Sequence, residues 1–215
     1  LAEELISASG LILLLAAAWG GDKASRVISI AAVAVLTVCA VLTAPALCNA
    51  AMGTQVSAWN GQFSGDAFAA FGKLLIYASA AVTLIVAPAF FDRTKAMRAE
   101  FPLLVLFAAM GMGMMVSATD MLALYIGLEL NSLASYVLAA FLRSDDRSAE
   151  SGLKYFVLGS FSSAIFLYGA ALIYGGTGST NFLFMQNGWY ACSSCLNKKQ
   201  MLTKFAIWLM TFEAV

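Results

Sequence analysis

Apolar residues occupy this chain in long, nearly uninterrupted runs, at roughly 4–19, 27–44, 67–90, 101–118, 121–142 and 151–174. Such runs are too long for strands and too uniformly hydrophobic for the one-sided helices of a water-soluble domain. A helix crossing the hydrocarbon core needs about 20 residues, so five runs suffice directly and the first suffices once its polar edge is counted. The pattern predicts an all-α, polytopic bundle of about six membrane-spanning helices. The first run is preceded by Glu3 and Glu4 rather than by basic residues, which argues for a retained helix and against a secretory signal.

Polar positions between the runs set an orientation. Lys23 and Arg26, then Arg93, Lys95 and Arg98, then Arg143 and Arg147 fall in alternate connections, whereas 45–66 and 119–120 hold no Lys or Arg. The positive-inside rule therefore predicts cytoplasmic basic loops and an external amino terminus. The longest external connection, with Trp59 and several glycines, shows no recognisable site.

Composition sharpens this picture. Hydrophobic residues make up 61% of the chain and charged residues 11%, with zero net charge. The lipid bilayer is the expected surrounding, and nothing points to nucleic acid. Histidine is absent, so proton handling falls to Glu, Asp, Lys and Tyr. Cys39 lies within an apolar run and reads as a small hydrophobe, while the single Cys192-Ser-Ser-Cys195 pair is weak evidence for metal or redox chemistry. No metal site is expected. The Met110–Met115 cluster reads as close helix packing, with Gly111 and Gly113 admitting a neighbour.

Glu129 is the main candidate for chemistry, because it lies well inside the fifth run and an acid at such depth costs roughly 2.5 kcal/mol or more. At about 3.6 residues per turn, Tyr125, Glu129, Ser132 and Tyr136 share one helix face, and Gly127, Asn131 and Ser135 form a second stripe almost opposite. Two such faces predict a helix enclosed by neighbours that supply hydrogen bonds. Burial favours a neutral carboxyl and a nearby ammonium an ionised one, so Glu129 can serve a proton relay. The alternative is a protonated carboxyl that simply holds helices together. Lys154, near the start of the sixth run, is either a second proton-handling group or a snorkelling lysine paired with Glu150 four residues before it. Lys73 and Asp120 read as solvated interfacial residues.

The expected division is a helical bundle over 1–175 and an unassigned tail over 176–215. The tail carries Lys198, Lys199 and Lys204 on the side whose connections otherwise hold no Lys or Arg, and its apolar run Phe205–Phe212 is too short to span. It is either the start of a further helix or a segment outside the fold.

The runs LYIGLELNSLASYVLAAF at 124–141 and ESGLKYFVLGSFSSAIFLYGAALIYG at 150–175 closely resemble the subunit N family of the bacterial proton-translocating NADH–quinone oxidoreductase, respiratory complex I. The resemblance is strongest over about 100–182 and weaker before it. It implies an antiporter-like bundle, of which this chain supplies the amino-terminal part. Glu129 is then the fifth-helix glutamate of a proton channel and Lys154 the sixth-helix lysine of the same path, with Tyr125, Ser132 and Tyr136 as supporting groups. It also implies a multi-pass subunit of the bacterial inner membrane, partnered by other membrane subunits. NADH, FMN, iron–sulfur clusters and quinone belong to partner subunits, and no cofactor is held by this chain. Asn131 stands where the family resemblance calls for glutamine. After Phe182 the family's lysine-bearing broken helix is not recognisable, and with Leu at position 1 the sequence is expected to be truncated or frame-disrupted. A monovalent cation/proton antiporter subunit and an inactive remnant are the competing readings.

Overall fold

Each of the six apolar runs forms one helix. The computed structural model describes residues 2–51, 57–59, 61–94 and 98–185. Helices α1 (Ala2–Gly20), α2 (Ser25–Ala51), α3 (Ala67–Thr94), α4 (Glu100–Ser117), α5 (Met121–Ala139) and α6 (Asp146–Thr177) are joined by short connections. All six contain a stretch long and apolar enough to cross a membrane, so this is a multi-pass membrane protein. A hairpin of strands β1 (Ser57–Ala58) and β2 (Phe63–Ser64) sits in the α2–α3 connection.

One helix outruns its predicted bound across a proline, α2 past Pro45, while α3 carries Pro88 inside the predicted run and extends a further turn beyond it. A proline removes one backbone hydrogen bond and kinks a helix, which in a membrane does not have to end it. The later helices have sharp starts. Asp120 accepts a hydrogen bond from the Leu122 amide at 2.9 Å to begin α5, and Asp145 accepts one from the Arg147 amide at 3.1 Å to begin α6. Gly178, at φ 73°, closes α6 in the left-handed conformation that glycine adopts without penalty.

Helix α4 is central and packs against α1, α2, α3 and α5. Small residues allow this: Ala32, Cys39, Ala80 and Ala109 line a core filled by Ile6, Leu36, Tyr77, Leu84 and Leu106. Cys39 behaves as the small buried residue expected, its Sγ 3.7 Å from the Ala2 carbonyl oxygen. Toward the opposite end of α4, Phe91, Phe101 and Phe141 meet edge to face with centroids 4.8–5.5 Å apart.

The loops without basic residues gather at one end of the bundle. Thr119, in the α4–α5 turn, donates through its amide to Gln62 and through its hydroxyl to Gly61, at 2.9 and 2.5 Å. The same turn receives the Phe182 amide on the Thr119 carbonyl, and the Asp120 carboxylate accepts the Thr180 hydroxyl at 2.6 Å. The hairpin, the α4–α5 turn and the end of α6 are thus one hydrogen-bonded cap, and the alternation of charge seen along the chain corresponds to two ends of the bundle.

Two polar residues depart from expectation. Asp120 is 6% exposed, because capping α5 and holding Thr180 consume its oxygens. Lys73 is also enclosed: its ammonium forms an ion pair with Glu3 of α1, and their side chains are 13% and 25% exposed. The Ser117 hydroxyl lies 3.5 Å from the same Glu3 carboxylate while donating to the Gly113 carbonyl at 3.1 Å. Both residues lie near helix ends as expected, but helix crossing, rather than solvent, satisfies them.

Breaking one side of this pair strands a charge against an apolar core. Lys73→Met should destabilise the protein by about 2–3 kcal/mol, less than for a wholly buried pair because Glu3 keeps some exposure. The double substitution Glu3→Gln with Lys73→Met should recover most of that loss. Thermal unfolding in detergent checks both, and equal melting of the single and double variants would exclude the pair as an α1–α3 link.

Candidate proton-path site

The site begins with a contact between backbones. A Cβ placed on Gly111 of α4 would lie 2.6 Å from the Gly127 carbonyl oxygen and 2.7 Å from the Asn131 amide nitrogen of α5. One on Gly127 would lie 2.8 Å from the Gly111 carbonyl oxygen. Neither helix has room for a larger residue, so the two backbones meet at these positions. Gly113, two residues on, faces α3, where the Tyr77 hydroxyl would lie 3.1 Å from its Cβ. The methionine–glycine cluster is therefore a packing device on two sides of α4, as its composition suggested.

With Gly127 and Asn131 held on α4, the face bearing Tyr125, Glu129, Ser132 and Tyr136 is turned toward α6. Tyr125 stacks on Phe166 with centroids 5.7 Å apart, and Tyr136 meets Tyr155 and Phe156 edge to face at 4.8 and 5.7 Å. The Tyr136 hydroxyl reaches the α6 backbone, since a Cβ built on Gly159 would overlap it. Both stripes thus contact neighbouring helices, as expected. The enclosure is incomplete, because Leu122, Ile126, Leu133 and Val137 form an exposed apolar strip between the two.

Glu129 is half-buried between the two tyrosine contacts, beside that open strip. Among the described residues it makes no ion pair or hydrogen bond; Ser132 is its stripe neighbour one turn on. On the opposite stripe of α5, the Ser135 hydroxyl donates to the Asn131 carbonyl at 2.9 Å.

Lys154 stands apart from Glu129. It is exposed, and its ammonium contacts the Glu150 carboxylate at 2.6 Å across one helical turn. Gly152 packs on Ala140 at the foot of α5, so Lys154 lies near the level of residue 138, roughly 13 Å along the axis from Glu129. Tyr136 occupies the interval. At 32 residues α6 is about 48 Å long, well beyond a hydrocarbon core of about 30 Å, so its first turns reach past the core and Lys154 sits near the boundary. The ion pair with Glu150 weighed from the sequence is present.

Sequence reasoning missed the Glu3–Lys73 pair. The signal was present: Lys73 is a single cation inside an otherwise apolar run, and an acid opens the first helix. What sequence could not supply was that α1 and α3 start at the same end of the bundle and meet across α4. Cys192, Cys195 and the lysines of the tail lie outside the described residues. Among the described residues, no group of three or more Cys, Asp or Glu side chains is placed to hold a metal ion.

Comparison with known proteins bears directly on this arrangement. The family described as NADH:quinone oxidoreductase/Mrp antiporter, TM, matches residues 118–214, which include α5, α6 and the tail. The chain is 58% identical over 182 residues to the NADH-quinone oxidoreductase subunit N of Erythrobacter litoralis, a match that covers 85% of this chain and 37% of that protein. The chain therefore spans rather more than a third of the length of the curated relatives it matches. In three dimensions it resembles a chain of respiratory complex I from Thermus thermophilus with a TM-score of 0.70 at 26% identity, covering 98% of this chain and 42% of that one. It also shares its fold with a chain of the Mrp complex from Dietzia sp., with a TM-score of 0.72, 21% identity, and coverage of 99% and 39%.

The glycine contact is the part of this geometry most sensitive to one added methyl group. Gly127→Ala drives a Cβ into the Gly111 carbonyl and Met115, and should cost about 1–3 kcal/mol of stability through overpacking. Gly127→Val should cost more. Thermal unfolding in detergent provides the measurement; a Gly127→Ala protein that melts with the parent would show that α4 and α5 approach elsewhere.

Proposed function

The chain belongs to the subunit N family of NADH-quinone oxidoreductases, and from that premise we propose that it is a membrane-arm subunit contributing to proton translocation coupled to quinone reduction. The observation that carries this reading is Glu129, a carboxyl group half-buried in a spanning helix with no ion pair or hydrogen bond among the described residues. A carboxyl so placed gains and loses a proton according to the water and charges brought near it, which is the elementary step of a relay.

In this reading Glu129 is the proton-holding group. Tyr125 and Tyr136 fix the α5–α6 spacing on either side of it through their ring contacts, and Ser132 supplies a hydroxyl on the same stripe. Lys154 is the group at the helix boundary, released from or returned to Glu150 as the local charge changes. The interval between Lys154 and Glu129 requires water or further side chains to carry the proton. The membrane is the bacterial inner membrane, with the amino terminus external and the basic loops cytoplasmic. Other membrane subunits of the complex are the partners, and NADH, FMN, iron–sulfur clusters and quinone are held by partner subunits.

The antiporter reading is the runner-up. Likeness to the Mrp chain is one of fold, whereas likeness to subunit N extends through the sequence at 58% identity.

Replacing the carboxyl tests the proposal. Glu129→Gln, introduced into the host gene, should lower NADH-driven proton uptake by inverted membrane vesicles about tenfold or more. NADH oxidation by an artificial acceptor should stay at the parental rate, reporting intact assembly. Uptake at the parental rate would overturn the relay, and sodium- or potassium-dependent proton flux without NADH would assign an antiporter subunit instead.

A further inference from the structure

A groove of about 330 Å³ opens on the outside of the bundle between α2 and α3, away from the Glu129 face. Its walls are Ile30 and Val33 from α2 and Leu84, Ile85 and Pro88 from α3, with Arg26 and Ser29 toward one end. Its volume falls in the range of pockets that hold small ligands. Pro88, inside α3, forms part of its wall.

The distribution of polarity along the groove is one-sided. Arg26 is the second residue of α2, at the end of the bundle where the basic connections lie. The Ser29 hydroxyl donates to the Ser25 carbonyl at 3.0 Å, so it places no demand on an occupant. From Arg26 to Val33 the groove descends about 10 Å toward the membrane interior, and beyond Ser29 only hydrocarbon lines it. A guanidinium carries five N–H donors, more than one partner uses, and pairs with phosphate oxygens in a planar fork.

We propose that this groove binds an anionic phospholipid, the phosphate against Arg26 at the interface and one acyl chain along Val33, Leu84 and Ile85. A phospholipid matches both ends of the groove, and the bilayer presents it at the required depth. A protein helix laid in the same place would match the hydrocarbon but would have to bring an acidic residue to Arg26. The inference does not depend on the proton-relay reading.

The test uses the full chain reconstituted in phosphatidylcholine vesicles with spin-labelled phosphatidylglycerol or spin-labelled phosphatidylcholine as the probe. Electron paramagnetic resonance reads the motionally restricted fraction. The native chain should prefer phosphatidylglycerol about fivefold, the effect of one basic side chain at the surface. Arg26→Gln should abolish the preference and Arg26→Lys should keep most of it, which separates charge from misfolding. Ile85→Trp, at a position already 64% exposed, should also abolish it by filling the groove while leaving every charge in place. Equal restriction of the two lipids by the native chain, as for a groove occupied by protein, would overturn the proposal. A preference that survives Ile85→Trp would also overturn it, by assigning the attraction to the basic edge at large.

Discussion

The meeting of α4 and α5 through Gly111 and Gly127 is the constraint on which the rest of the arrangement depends. Side chains ordinarily keep helix axes about 8–10 Å apart, and their removal at one crossing lets the backbones touch and fixes the rotation of each helix about its own axis. Once Gly127 and Asn131 are committed to α4, Tyr125, Glu129, Ser132 and Tyr136 must point the other way. The position of the candidate proton carrier therefore follows from two residues that carry no chemistry. On α4, the neighbouring Gly113 accommodates Tyr77 of α3, so the same short segment sets the spacing on both sides of the central helix.

Away from that crossing, the bundle handles polarity by moving it to helix ends and partnering it there. A hydrocarbon surrounding offers no hydrogen bonds, so hydroxyls in mid-helix return to their own backbone, as Ser29, Thr43 and Thr83 do. Charged groups with a reach to another helix use it: Glu3 holds Lys73, and Asp120 holds Thr180. The second of these ties the α4–α5 turn to the end of α6 just where the hairpin also docks. Such partnering organises the cap, the end of the bundle whose loops carry no basic residue. Glu129 contrasts with all of these groups, since the described part of the chain leaves its carboxylate oxygens unengaged.

In the proposed function that contrast is meaningful. The apolar strip Leu122, Ile126, Leu133 and Val137, the exposed face of α6 and the half-buried Glu129 lie on contiguous sides of the structure. The curated relatives are more than twice as long as the matched segment. In the proposed function this is where further helices complete the proton path, and where Lys154 is brought into electrical contact with Glu129. The α2–α3 groove lies on a different face, with the polarity profile of a lipid site.

The number of spanning helices, their approximate bounds, the alternation of basic connections with ones lacking Lys and Arg, and the two opposed stripes of α5 were all legible in the sequence. Each depends on a local period or on transfer of a segment from water to hydrocarbon, which a run of residues specifies without reference to its neighbours. Glu129 and Lys154 were legible as candidates for the same reason, an ionisable group in or beside a hydrophobic run. The bounds missed chiefly at Pro45, which α2 continues past, and at the start of α6, which takes in the polar residues Asp146 to Glu150 ahead of the apolar run. Tertiary structure alone decided that Lys73 meets Glu3, that Asp120 is buried, that Tyr136 intervenes between Glu129 and Lys154, and that one side of Glu129 is open. These are contacts between segments distant along the chain, set by which helix faces which and at what depth, and no single segment encodes its partner's register.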